Sequence, residues 1–302
     1  MVKLKLVAAA AAVAVLAAAS IPAGAAAPKP APFPVTVQAK NGKIRIAKRP
    51  TRIVSLSPTA TEMLFAVGAG RQVVAVDSLS NYPRRAPRTT LSGFQPNVEA
   101  IAGYRPDLVI GDLSAGVVAE LRALRVPVLV YEAPRQFAGS YTQITQIGRA
   151  TGHRAQAGRT IRSMRTRIAD AVADARRAGS RRLSVFHELT PDLYSATSRT
   201  FVGQVYRLLG LRNVADAADA AGSGYPQLSA EAVIAANPSV IVLADSKCCG
   251  QTPGTVGARP GWSSIAAVRN RRVVAVDDDI ASRWGPRIAT FIRVVANAIA
   301  RR

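Results

Sequence analysis

The chain has 302 residues, of which 49% are hydrophobic and 5% are aromatic. This composition excludes an intrinsically disordered chain, and 2 cysteines are too few for a disulfide-stabilised scaffold. The formal net charge of +22 indicates either an anionic partner, such as nucleic acid or a membrane surface, or a surface that is basic throughout. We favour the basic surface and expect no nucleic-acid partner, because no nucleic-acid-binding motif accompanies the charge. With 2 histidines, we also expect no metal site.

The first 27 residues have the layout of a secretory signal peptide. Lys3 and Lys5 precede an unbroken apolar run at residues 6–19, and small residues follow it through Ala27. The run is too short to span a bilayer, and no cysteine follows it where a lipid could be attached. We therefore expect export to the periplasm or cell envelope and a soluble mature protein, with an uncleaved anchor as the alternative.

After residues 28–50, which are predicted as a linker and N-terminal segment, short apolar runs alternate with helical stretches. The runs are rich in Val and Ile and show little polar alternation, which is typical of buried parallel strands. They lie at residues 52–56, 73–76, 108–110 and 126–130, and then at 183–186, 240–243 and 273–276. The sequence therefore predicts an α/β fold with two lobes, at residues 51–139 and 181–302, each with a central parallel sheet.

A long amphipathic helix is predicted in the connecting segment at residues 140–180. Between residues 155 and 179, apolar side chains recur at steps of three and four while Arg and Asp occupy the other faces. Gly179 is placed to end this helix. It could be a crossover helix within one sheet or a stiff connector between two lobes. We favour the connector, because the chain pattern restarts after it.

The restart is visible as a short internal repeat. Glu99 stands seven residues before Pro106, Glu231 stands seven residues before Pro238, and an apolar strand follows each proline. Such a repeat of helix, proline and strand predicts two lobes that are related to each other.

The sequence contains no recognisable catalytic motif. A third glycine is missing after Gly68 and Gly70, no P-loop is present, and no nucleophile-elbow motif frames a serine. Ser57, Asp77 and His187 could form a triad only if the fold brought them together. We expect a binding protein without a cofactor rather than an enzyme.

The stretch at residues 55–62 follows the first strand and begins a helix. Thr59 and Glu62 fit a capping box, and Gly68 fits the end of the helix. Hydroxyl and amide groups at the carboxyl end of a strand commonly line a ligand crevice, so Ser57 is a candidate ligand-binding residue.

An ordered set of motifs resembles the periplasmic binding proteins for cobalamin and ferric siderophores, the substrate-binding subunits of ABC importers. The motifs are RIVSLSPTATE at 52–62, GAG at 68–70, NYP at 81–83, NVEAI at 97–101, RPDLVI at 105–110, LSAE at 228–231, NP at 237–238, PGW at 260–262 and RWGPR at 283–287. The resemblance covers about residues 45–300. It implies the class III periplasmic-binding-protein fold, in which one long helix joins two α/β lobes. It also implies a small-molecule ligand in the cleft and the permease subunits of the importer as partners, and we expect a monomer.

The resemblance implies a docking role for Glu99 and Glu231. They match paired acidic residues, one in each lobe, that dock on arginines of the importer's membrane subunits. Two carboxylates on a rigid body would fix its orientation through charge-assisted hydrogen bonds. The alternative is that each glutamate, near a helix start, only favours the helix dipole.

Four aromatic residues are candidates for ligand contact. The resemblance places Tyr82, Phe94 and Tyr225 at pocket positions of the cobalamin binders, and Tyr194 follows the first strand of the second lobe. Flat aromatic faces suit a large macrocycle, although each ring could instead pack in the core. The chain departs from the cobalamin pattern, since Tyr and Phe stand where Trp is common and Asp112 occupies a further Trp position.

Arg283 could pair with an anionic ligand group or join the lobes, whereas Arg287 is expected to be structural. The adjacent Cys248 and Cys249 could form a vicinal disulfide or remain two thiols. His187 could face the cleft or pack in the core.

The sequence thus predicts an exported receptor for cobalamin or a related corrinoid. The alternatives are a ferric-siderophore or haem binder of the same family, an enzyme that uses the cleft, and a basic envelope or nucleic-acid binder.

Overall fold

The computed structural model describes residues 33–301. The predicted signal peptide at residues 1–27 therefore lies outside the described residues. The strands are β1 (Val35–Ala39), β2 (Gly42–Ile46), β3 (Ile53–Leu56), β4 (Val73–Val76), β5 (Leu108–Gly111), β6 (Val128–Val130), β7 (Ser184–Glu188), β8 (Arg212–Asn213), β9 (Val240–Leu243) and β10 (Val273–Ala275). The helices are α1 (Pro58–Ala66), α2 (Val98–Gly103), α3 (Ala115–Ala123), α4 (Ala138–Ala150), α5 (Arg154–Arg177), α6 (Phe201–Leu209), α7 (Ala230–Ala236), α8 (Ser246–Cys249), α9 (Pro253–Gly257), α10 (Ala266–Arg269), α11 (Asp278–Ser282) and α12 (Ile288–Ala300).

Two parallel four-stranded sheets form the two lobes. The sheet of the N-terminal lobe has the order β4-β3-β5-β6, and that of the C-terminal lobe has the order β8-β7-β9-β10. Every residue of the central strands β3, β5, β7 and β9 is buried. This burial explains the apolar runs of β5 and β9, whereas β3 buries Ser55 and β7 buries Ser184, His187 and Glu188. The predicted fold class is confirmed.

The connector is α5, which has 24 residues and is about 36 Å long at 1.5 Å per residue. Near its start, the Thr160 hydroxyl donates to the carbonyl of Ala66 in the N-terminal lobe. Near its end, Asp174 pairs with Arg293 on α12 of the C-terminal lobe. Gly179 follows the helix with a left-handed φ of 81°, as the sequence predicts. Within residues 33–301, no helix combines the length and the hydropathy that a bilayer span requires.

The internal repeat is also present in the structure. Asn97 caps α2 by accepting from the Ala100 amide at 2.8 Å, and Ser229 caps α7 by accepting from the Ala232 amide at 3.1 Å. Each helix then reaches a proline through a residue with a left-handed φ: 47° at Arg105 and 43° at Asn237. The two lobes therefore share both a strand order and a helix geometry.

The prediction of a linker at residues 28–50 is wrong where the structure describes it. β1 and β2 form an antiparallel hairpin that turns at Lys40 and Asn41, and Gly42 begins β2 with a φ of 106°. Val35, Val37 and Ala39 point inward and are buried, and the strand packs against α4. The alternating pattern VTVQA is a strand pattern of period two, which the Pro-, Ala- and Lys-rich composition of the segment concealed.

The capping box predicted for Thr59 and Glu62 is not formed. Ser57 is the residue that caps α1, and its hydroxyl accepts from the Ala60 amide at 3.4 Å. Pro58 occupies the first helical position, where its missing N–H costs nothing. Glu62 is thereby free to take part in a contact with the other lobe.

Candidate functional site

A cavity of about 780 Å³ lies between the two lobes, and we call it the inter-lobe cavity. Its N-terminal wall includes Ser57 after β3, Asp77 after β4 and Asp112 after β5. Its C-terminal wall is formed by the segment after β9, which includes Lys247, and by α11 and the residues that follow it. The cavity thus lies at the carboxyl ends of parallel strands in both lobes, where α/β proteins commonly bind ligands.

A buried ion-pair cluster joins the lobes beside this cavity. Glu62 of α1 is only 3% exposed. Arg287 donates to both of its carboxylate oxygens, at 3.0 and 2.6 Å, and Arg283 donates to one of them at 3.0 Å. Two cations from the C-terminal lobe therefore neutralise one buried anion of the N-terminal lobe, in charge-assisted and partly bidentate geometry.

Arg283 lines the inter-lobe cavity, but its guanidinium group is already hydrogen-bonded to protein groups. In addition to Glu62, it donates to the Asn81 side chain at 3.0 Å, to the Leu79 carbonyl at 3.1 Å and to Asp279 at 2.6 Å. The structure therefore shows the lobe contact that was one of its two predicted roles. A ligand contact for Arg283 stays a prediction.

The lining of the inter-lobe cavity is acidic, although the protein as a whole is strongly basic. Four carboxylates line it: Asp77, Asp112, Asp278 and Asp279. The lining includes two cations, Lys247 and Arg283, and both pair with Asp279. Burial raises the pKa of Asp77, although a hydrogen bond from Ser80 opposes the rise. A ligand in this cavity would meet carboxylates and no unpaired cation among the lining residues.

The structure brings some of the predicted ligand residues together and separates others. Ser57, Phe94 and Arg283 line the inter-lobe cavity, and the Phe94 ring is 84% exposed. Tyr82 lines a different cavity of about 540 Å³, where the Arg287 guanidinium lies 4.2 Å from its ring centroid. A cation–π contact of this kind explains its position without a ligand.

Tyr194 and Tyr225 lie in the C-terminal lobe and do not line the inter-lobe cavity. They belong to two neighbouring segments, which pair through a bridge between Tyr194 and Gln227. Both rings are about half exposed, at 43% and 51%, so neither is a core residue. Their predicted role as ligand contacts remains a prediction.

Glu99 and Glu231 occupy the same position in the two repeated helices. Each is exposed and is the second residue of a short helix, α2 or α7, that follows the cap residue Asn97 or Ser229. A hydrogen bond from its own backbone amide and another from Ser229 to the carboxylate lower the pKa of Glu231. This geometry is compatible with both predicted interpretations, the docking contact and the helix-dipole contact.

His187 is fully buried, and it does not face the cleft. Its Nδ1 lies 2.6 Å from the Tyr206 hydroxyl, and burial lowers its pKa to about 3. Ser57 and Asp77 line the inter-lobe cavity, whereas His187 packs against Tyr206 and Phe291 inside the C-terminal lobe. The triad considered from the sequence is therefore not assembled.

The sequence predicts a possible lobe contact for Arg283, but it reveals neither the acidic partner Glu62 nor the part of Arg287 in the same cluster. Glu62 was assigned to a helix cap, and Arg287 was expected only to be structural. One signal was available: Arg283 and Arg287 are four residues apart on either side of a Trp-Gly-Pro turn. That spacing indicates two basic side chains close together, but it does not identify their acidic partner.

Comparison with known proteins identifies the family. The model of the family described as periplasmic binding protein matches residues 53–280. An ABC transporter substrate-binding lipoprotein of Bacillus subtilis, described as uncharacterized, is 32% identical over 270 residues, covering 86% of this chain and 83% of the relative. A cobalamin-binding protein of Halobacterium salinarum is 34% identical over 273 residues, covering 86% of this chain and 72% of the relative.

Two solved structures show the same fold. A periplasmic heme-binding protein from Roseiflexus superposes with a TM-score of 0.70 and 29% identity, covering 83% of this chain and 98% of that chain. The periplasmic vitamin B12-binding protein of Vibrio cholerae superposes with a TM-score of 0.65 and 24% identity, covering 82% and 96%. The resemblance to substrate-binding proteins of cobalamin and ferric-siderophore importers is thus confirmed. The chain belongs to the periplasmic binding protein family.

Proposed function

We propose that the protein captures cobalamin or a related corrinoid in the inter-lobe cavity and delivers it to the permease of an ABC importer. The observation that supports the choice of ligand is the charge of the cavity lining. Its carboxylates outnumber its cations, and both cations already pair with Asp279. The relative from Halobacterium, described as cobalamin-binding, is in agreement with this choice.

The acidic lining favours a corrinoid over haem on electrostatic grounds. The periphery of a corrinoid consists mainly of uncharged amide groups, whose N–H donors suit carboxylate and hydroxyl acceptors such as Asp112 and Ser57. Haem presents two carboxylates, which would be desolvated beside like charges without a free cation to compensate them. Haem iron is also commonly held by His, Tyr, Met or Cys. The described lining residues include no His, Tyr or Met, and the sulfur of their one cysteine, Cys248, is bonded to Cys249.

The lobe contact suits a cavity that exists before the ligand arrives. The cluster of Glu62, Arg283 and Arg287 and the connector α5 both join the lobes, so closure by a large hinge motion would have to break buried ion pairs. Binding to a largely preformed pocket costs little reorganisation.

Equilibrium dialysis tests the ligand. The purified mature protein is dialysed in parallel against cyanocobalamin, a ferric hydroxamate siderophore and haemin in moderate salt, and retained ligand is read by its absorbance. We expect saturable one-to-one retention of cyanocobalamin. Phe94→Ala should weaken it by about tenfold, because an exposed ring contributes apolar contact of roughly 1 kcal/mol or more.

Leu124→Ala is the matched control for Phe94→Ala, since Leu124 is also exposed but does not line the cavity. One-to-one retention of haemin or of the iron chelate in place of cyanocobalamin would contradict the corrinoid assignment. It would favour the alternative of a haem or siderophore receptor. The Roseiflexus relative is described as heme-binding.

We further propose that the protein is exported through a signal peptide at residues 1–27, works as a monomer, and docks on the permease through Glu99 and Glu231. The double change Glu99→Lys and Glu231→Lys should abolish uptake in cells and leave ligand affinity unchanged. The control is Glu120→Lys, an exposed glutamate on α3. Normal uptake by the double variant would refute the docking role and leave only the helix-dipole interpretation.

A further inference from the structure

The structure joins Cys248 and Cys249 by a disulfide, and this bond lies at the inter-lobe cavity. Cys248 is one of the residues that line the cavity, and both cysteines are exposed. The full sequence contains 2 cysteines, so this is the one intramolecular disulfide that the chain can form. A reductant that reaches the cavity can therefore act at a single, known place.

The disulfide lies on a segment that is firmly held from α11. Asp278 accepts hydrogen bonds from the backbone amides of Lys247 and Cys248, at 3.0 and 2.8 Å. The next residue, Asp279, pairs with the Lys247 side chain and, at 2.6 Å, with Arg283. The backbone around the disulfide is thus held by α11, whose Asp279 also accepts a hydrogen bond from Asn81 of the N-terminal lobe at 2.8 Å.

A bond between adjacent cysteines changes the surface that they present. It closes a small ring with the peptide group between them, so that neither side chain can rotate, and the two sulfurs form one apolar and polarisable surface. After reduction, each side chain regains its staggered rotamers and carries a weakly polar S–H group. The wall of the cavity at Cys248 therefore differs between the two redox states, while Asp278 still holds the backbone.

We propose that the Cys248–Cys249 disulfide is part of the ligand-binding surface and that its reduction lowers ligand affinity. The inference rests on the proposed function in that the ligand must occupy the inter-lobe cavity. The reductant is a dithiol. Its thiolate attacks one sulfur and breaks the S–S bond, and its second thiol then resolves the mixed disulfide. Two electrons and two protons pass to the protein, which ends with two thiols while the reductant ends as a disulfide.

The test compares the affinity for cyanocobalamin in the two redox states. The purified protein is dialysed against the ligand before and after treatment with dithiothreitol, and thiol alkylation with mass spectrometry verifies each state. We expect the dissociation constant to rise at least fivefold on reduction. The double variant Cys248→Ser and Cys249→Ser, which cannot form the bond, should have the weaker affinity and should not respond to dithiothreitol.

Three results would overturn the inference. They are equal affinities in the two redox states, a response to dithiothreitol that persists in the double serine variant, and free thiols in the protein purified without reductant. Failure of the proposed function gives a different result, because cyanocobalamin would then be retained in neither redox state. In that event the inference falls together with the proposed function.

Discussion

The two lobes share a strand order and a repeated helix, but one buried carboxylate in each lobe, Glu62 and Asp245, has opposite surroundings. Glu62 in the N-terminal lobe is paired with two arginines. Asp245 in the C-terminal lobe is fully buried, and neither of its carboxylate oxygens has a hydrogen-bond partner among the described residues. The difference teaches that two similar folds can bury one carboxylate with its counter-charges and another without a hydrogen-bond partner.

The environment of Asp245 explains why it is left without a cation. It follows β9 and lies beside Glu188, the last residue of β7. Arg259 already forms two hydrogen bonds with Glu188, at 2.8 and 2.6 Å, and stacks on Trp262. Burial first, and then the charge of Glu188, raise the pKa of Asp245 to about 7. When Asp245 is protonated it can donate to Glu188, which satisfies the pair.

The largest effect is expected from breaking the cluster of the N-terminal lobe. Glu62→Gln leaves Arg283 and Arg287 buried without a full counter-charge, and breaking a buried pair in this way costs about 3–5 kcal/mol. Urea denaturation should show this loss in the free energy of unfolding. The exposed Glu120→Gln on α3 should change it by less than about 0.5 kcal/mol. A loss below about 1 kcal/mol for Glu62→Gln would mean that the cluster does not hold the lobes together.

A smaller effect of opposite sign is expected at Asp245. Because its pKa is higher in the folded protein than in the unfolded chain, the folded state holds the proton between about pH 4 and pH 7. The free energy of unfolding should therefore fall as the pH rises through this interval, and the loss should be complete above pH 7. Asp245→Asn removes this penalty, so the variant should gain more than about 1 kcal/mol over the parent at pH 8 and little at pH 4.

Urea denaturation at the two pH values measures the Asp245 effect. Asp192→Asn, an exposed aspartate of the same lobe, is the control and should leave the pH dependence unchanged. If Asp245→Asn loses stability at pH 8, the carboxylate is ionised and well paired, and the contrast between the lobes disappears.

The smallest effects are expected at the repeated caps and would sharpen what the lobes share. Asn97→Ala and Ser229→Ala each remove one cap from α2 or α7, and each should lower the free energy of unfolding by about 1 kcal/mol. Ser163→Ala, at an exposed position inside α5, should cause no comparable loss. If the two losses differ by more than about 1 kcal/mol, the two caps share a geometry but do not stabilise the protein equally.

The sequence predicts those features that are determined locally. β4 and β9 begin and end where their apolar runs do, and α5 begins within one residue of its prediction. β8 has only two residues, Arg212 and Asn213, and no apolar run reveals it. The candidate site is harder to predict from the sequence, because its contacts join segments that are distant along the chain. Glu62 and Arg287 are 225 positions apart, and in its local sequence Glu62 fits a helix cap equally well.

The separation of 225 positions between Glu62 and Arg287 affects when the contact between the lobes can form during synthesis. The N-terminal lobe is synthesised first, and its Glu62 has no arginine partner until residues 283–287 follow. A chain that stops before residue 283 lacks both counter-charges of a carboxylate that the complete protein buries. Contacts between such distant residues form late, because long loops must close before they can pair. The contact between the lobes thus requires the chain to be synthesised as far as Arg287, and chains that stop earlier should be less stable and more readily degraded.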